Sequence, residues 1–186
     1  LHLSIRRQRQ MCIETGLLFA AEFFLVAQAL RFTSAAHTVV LLYTAPIFVA
    51  LGLHWKLPSE RLSFIQWLGI ACAFLGIVIA FLFRPAASQA AVSSALWGDA
   101  LALLAGVLWA ATTIAVRLTK LAEAPATQTL FYQLFIAFLV LLPVAFFMGQ
   151  ATIHWSVLSL TSLLFHTVVV SFASYLIWFW LLKKYL

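Results

Sequence analysis

The chain is a succession of long apolar blocks joined by short polar connections. Each block is close to the ~20 residues an α-helix needs to cross ~30 Å of hydrocarbon. A backbone in lipid must satisfy its own hydrogen bonds, which leaves helices or a closed barrel. Barrel strands alternate polar and apolar residues, and blocks such as residues 134–140 do not. Composition closes the soluble alternative: 65% of residues are hydrophobic and 9% charged, too few charges for a soluble surface. The sequence predicts an all-α fold, a polytopic transmembrane helical bundle.

About six spans can be drawn, over residues 11–30, 38–55, 64–83, 100–116, 129–148 and 160–182. Trp55, Trp97, Trp155 and Tyr185 fall at span ends, as interfacial aromatics do. The net charge of +6 raises the question of nucleic acid, but the basic residues sit singly or in short clusters at block ends. That placement suits membrane anchoring, so no nucleic-acid partner is expected. One side of the bundle would hold Arg6, Arg7, Arg9, Lys56, Arg61, Arg117, Lys120, Lys183 and Lys184, and the other only Arg31 and Arg84. This asymmetry predicts cytoplasmic termini and an integral protein of the cell membrane. Cys12 and Cys72 lie at or within membrane blocks, which argues against a disulfide framework.

An internal echo is visible. With Ala29-Leu30-Arg31 set against Leu181-Leu182-Lys183, residues Thr15, Phe19, Glu22 and Val26 fall opposite Thr167, Ser171, Ser174 and Trp178. Each set lies on one helical face, the more polar face of its span. The longest connection, residues 84–99, begins with Arg84-Pro85 and continues Ala/Ser-rich, as a linker between two related halves would.

Ala29-Leu30 with Thr33, mid-span Pro46, Glu60-Arg61, then Gly69 and Gly76 follow in order, and Gly98-Asp99 with Trp109-Ala110 open the next stretch. This series resembles the end of one EamA repeat and the start of a second, in the drug/metabolite transporter superfamily. The resemblance implies two inverted five-helix repeats, with these spans as the third to eighth of ten helices. Residues 1–83 would then be the closing three helices of the first repeat, 84–99 the linker, and 100–186 the opening three of the second. It also implies that the chain is a fragment, and that its function is export of small metabolites or drugs.

Candidate pathway residues follow from chemistry. A charged carboxylate at mid-span costs on the order of 2.5–3.5 kcal/mol, so Glu22 should face the interior, be protonated or pair. Its readings are a solute- or proton-binding group, or a structural hydrogen-bonding acid. Pro46 frees a helix carbonyl in mid-membrane, and with Tyr43 and Thr44 marks a kink that would line a cavity. Trp109 and Thr113 would line the path or simply pack. His166, Thr167, Ser171, Ser174 and Tyr175 form the polar content of the last span, read either as pathway or as bonds back to their own helix, with His166 turned away from the main Ser/Thr face. Glu22 and the Thr167/Ser171/Ser174 face are expected to meet across one cavity at the repeat interface. Gly69, Ala73, Gly76 and Ala80 form a small-residue face for close helix packing, within one subunit or in a homodimer. Glu60 and Arg61 read as a solvated pair at a helix start.

No H-E-x-x-H and no G-x-S-x-G is present, the five His are scattered, and no Gly-rich phosphate loop occurs. No catalytic residue, metal or cofactor is therefore assigned, and ATP-driven pumping is not expected. The leading expectation is a secondary transporter of a small-molecule solute in the lipid bilayer. The alternatives are a membrane-embedded assembly or scaffold subunit and an intramembrane enzyme.

Overall fold

The computed structural model describes residues 2–57, 61–82, 89–119, 125–152, 154–174 and 177, and all regular structure among them is helical. The helices are α1 (His2–Ala29), α2 (Ala35–Leu42), α3 (Ala45–Lys56), α4 (Phe64–Leu82), α5 (Gln89–Leu118), α6 (Ala126–Phe147) and α7 (Val157–Leu164). The last continues as a π-helical stretch, Phe165–Ala173. Among the described residues, four segments are long and apolar enough to cross a membrane: Gln10–Ala29, Ala35–Lys56, Val92–Leu118 and Thr127–Phe147. Phe64–Ile79 and Val157–Val170 are shorter apolar helices at the places of the remaining two spans. The chain is an all-α polytopic membrane protein.

Two boundaries differ from those expected. The second span is two helices, α2 and α3, because the chain breaks at Tyr43–Thr44 just before Pro46. The helix of the fourth span begins at Gln89, inside the stretch taken as linker. The reason is local: after Pro85 the run is Ala-rich and contains no further breaker before Gly98, and Ala is the best helix former.

The core is a packed group of α1, α5, α6 and the α2–α3 pair. Ala29 packs on Ala102, and Thr33, just past α1, meets Gly98, so α1 and α5 run antiparallel. Gly16 faces Ile136 while Gln28 reaches Met148, so α1 and α6 run parallel. Small residues make the first approach possible. Cys12, Thr15, Gly16, Ala20 and Glu22 on α1 are buried at the same spacing as Ala102, Ala105, Gly106, Ala110 and Thr112 on α5. Neither water nor lipid drives such helices together strongly, so contact rests on close packing of backbones. At Gly98 the approach is tight enough that a Cβ would lie 2.8 Å from the Thr33 backbone nitrogen.

The loop after α1 is pinned to α5 at Asp99, within the helix. The Thr33 hydroxyl donates to Asp99 Oδ1 at 2.6 Å, and His37 Nδ1 lies 3.5 Å from the same oxygen. Ser34 caps α2 by accepting from the His37 amide. By contrast α4 is exposed along most of its described length, and α7 with its π-helical continuation is largely exposed too.

Candidate functional site

The break between α2 and α3 sets the site. The Thr44 hydroxyl donates to Leu41 O at 2.6 Å, turning inward what would otherwise be a loose polar group. Pro46 then starts α3, where its missing N–H costs nothing. Opposite the break stands Gly106, where a Cβ would lie 3.0 Å from Leu41 O and 3.1 Å from Leu42 O. Glycine is therefore what lets α5 reach the interrupted backbone. Irregular backbone at membrane depth is tolerated where protein buries it or where it borders a cavity, and here both conditions hold.

The cavity has a volume of about 680 Å³ and lies between α3, the turn before α4, and α5. Pro46, Val49, Ala50, Leu53 and Trp109 supply apolar wall, and Thr113, Arg61 and Gln66 supply polar groups. This size is in the range of sites for small organic molecules. Tyr43 packs edge-on against Trp109, with ring centroids 5.6 Å apart, and is otherwise exposed. The Thr113 hydroxyl donates to Trp109 O at 3.0 Å. Of the sequence candidates, the structure thus brings Pro46, Trp109 and Thr113 together, with Tyr43 and Thr44 adjoining.

Arg61, Leu62 and Gln66 were missed as cavity residues. Their placement depends on how the turn after α3 folds back. The Leu62 amide donates to His54 Nδ1 at 2.8 Å, and His54 packs edge-on against Trp67. Gln66 Oε1 accepts from Ser63 N at 2.8 Å and from Ser63 Oγ at 3.1 Å. The S-x-x-Q spacing of this capping box was a readable signal for where α4 starts, though not for what the turn covers.

Glu22 lies elsewhere. It is 5% exposed on the α1 face shared with Thr15 and Ala29, and Oε2 has no hydrogen-bond partner among the described residues. It does not line the cavity. Thr15 on the same face returns its hydroxyl to Met11 O and Cys12 O.

Thr167 and Ser174 are exposed, donating to Leu163 O and Val170 O respectively. The side chain of Ser171, all of Tyr175, and residues 178–186 fall outside the described residues. The structure places Thr167 and Ser174 on an open helix, apart from the buried position of Glu22. Added Cβ atoms at Gly69 and Gly76 would meet nothing within 4 Å, and Ala73 is exposed.

Comparison with known proteins adds the following. A model of the EamA-like transporter family matches residues 13–82 and 96–185. The chain is 25% identical over 161 residues to a Bacillus subtilis (strain 168) protein named "Uncharacterized transporter YoaV", covering 86% of this chain and 53% of that one. It is 26% identical over 169 residues to an Archaeoglobus fulgidus protein named "Uncharacterized transporter", covering 90% of this chain and 55% of that one. The chain spans about half the length of these curated relatives. No solved structure matches it.

Proposed function

The chain belongs to the EamA-like transporter family, and from that membership we propose that it forms part of a secondary transporter exporting small metabolites or drugs across the cell membrane. The observation that carries this reading is the cavity of about 680 Å³ beside the broken α2–α3 helix, which gathers Pro46, Trp109 and Thr113. In such proteins sites form where helices are discontinuous near the membrane midplane. The family match falls in two segments, which supports reading residues 1–83 and 100–186 as parts of two inverted repeats. The first eleven residues of α5 (89–99) would then belong to the connection while already helical.

In this reading the solute travels through the cavity, and Glu22, buried on α1 away from the lining residues, exchanges a proton. Proton exchange is preferred over direct solute binding because Glu22 is not among the lining residues. Thr167, Ser171, Ser174 and Tyr175 line the pathway from the second half. The open Gly69/Ala73/Gly76 face, which Ala80 continues in the sequence, meets a helix from outside this chain, including one of a second copy. The charge asymmetry puts both termini and the turn at Arg61 in the cytoplasm. Cysteines introduced at Lys56 and at Arg84 should react with an impermeant thiol reagent from opposite sides; labelling of both from outside intact cells sinks this orientation.

Flux in proteoliposomes of the full-length protein tests the function, using labelled amino acids, nucleobases and amphipathic drugs. Ala50→Trp, which fills the cavity, should abolish the flux of any transported solute. Glu22→Gln keeps shape and hydrogen-bonding capacity but removes the ionisable group, so the pH dependence of flux should disappear. Flux at wild-type rate through Ala50→Trp would remove the cavity from the route. Absence of flux for every solute class would favour the assembly-subunit reading.

A further inference from the structure

The side-chain charge at the cavity has one sign. Arg61 is the charged residue among its described lining, and no carboxylate is among the described residues that border it. The Gln66 carbonyl oxygen is already committed to Ser63 N and Ser63 Oγ, which leaves the amide N–H groups as its free capacity. A backbone N–H can only donate, so this bond also fixes which end of the Gln66 amide faces Ser63. The Thr113 proton is committed to Trp109 O. At the turn end the cavity therefore offers a positive charge and spare side-chain donors. Its opposite end, at Pro46 and Trp109, is apolar and aromatic.

We infer that the cavity takes an amphipathic organic anion, its carboxylate held by Arg61 and Gln66 and its apolar body laid against Pro46 and Trp109. A guanidinium presents paired N–H groups that match a carboxylate. His54 acts as a positioning residue: by accepting the Leu62 amide at 2.8 Å it holds the turn that carries Arg61 over the cavity. The assignment of this ligand as the transported solute rests on the function proposed above; the binding preference itself does not.

Three probes with one apolar body and different heads test it on the full-length protein in detergent: 3-phenylpropionate, 3-phenylpropanol and 3-phenylpropylamine. The acid should bind about tenfold tighter than the alcohol, with the amine weakest, the size expected for a charge-assisted bond. Arg61→Gln should weaken the acid about tenfold and leave the alcohol unchanged, and Arg61→Lys should keep part of the preference. Amine binding as tight as acid binding, binding of none of the three, or an Arg61→Gln variant with undiminished acid affinity overturns the inference. If Arg61→Gln loses acid and alcohol together, Arg61→Lys decides: acid preference retained supports the site, and preference lost overturns it. Flux blocked by Ala50→Trp without acid preference removes this inference and leaves transport standing. Acid preference without flux does the reverse.

Discussion

On α1, Thr15 and Glu22 lie seven residues apart on a face that is buried beside α5. On the last helical stretch, Thr167 and Ser174 also lie seven residues apart, and both are exposed. Both pairs are polar groups set in apolar helices, and three of the four hydroxyl or carboxyl side chains behave alike. Thr15, Thr167 and Ser174 each give their proton to a carbonyl of the preceding turn. A hydroxyl satisfied in this way presents little that is polar to its neighbour, so it tolerates burial or exposure equally. Glu22 does not do this, and its buried Oε2 stands without a partner among the described residues. The comparison teaches that spacing marks a polar face, while the chemistry of the individual group decides whether that face carries a functional demand.

The same contrast extends to glycine, and it can be broken or sharpened by paired substitutions. Gly98→Ala places a Cβ 2.8 Å from backbone at Thr33, which cannot swing aside. It should cost about 3 kcal/mol, the upper end for overpacking, seen as a lowered melting temperature in detergent. Thr33→Val leaves buried Asp99 without the 2.6 Å donor and should cost about 1–2 kcal/mol in the same assay. Gly76→Ala meets open space within this chain, so for the chain by itself helix propensity alone acts and a gain of up to about 1 kcal/mol is expected; a loss is expected where the outside helix proposed above is present. Thr167→Val removes an exposed hydroxyl bonded to its own helix and should stay within about 0.5 kcal/mol. Equal losses at Gly98 and Gly76 would show that α4 is packed as tightly as α5. A loss at Thr167 matching that at Thr33 would show that the last helix has a polar partner.

Much of the fold was legible along the chain. Hydropathy in blocks of ~20 residues is a local property, so span positions and the all-α class followed from it. Pro46 marked the place where the second span divides, since a missing N–H acts at its own position whatever surrounds it. The candidates Pro46, Trp109 and Thr113 were readable too, and they meet at one cavity. The start of α5 reads as linker, although the Ala-rich run with no breaker before Gly98 favours helix by its own propensity.

What only the tertiary structure decided was which faces meet. Apolar side chains gain nothing from choosing a neighbouring helix over lipid, so hydrophobicity within a span does not select its buried face. Selection comes from small residues that let backbones touch, as at Gly98 and Gly106, and this requires complementary spacing on two helices at once. Arg61 shows the same limit. In sequence it is a charge in a turn between spans, indistinguishable from a solvated one. The bond from the Leu62 amide to His54, eight residues back along the chain, folds that turn over the cavity. A property of one residue is written at that residue, and a property of a contact exists only once both partners are in place.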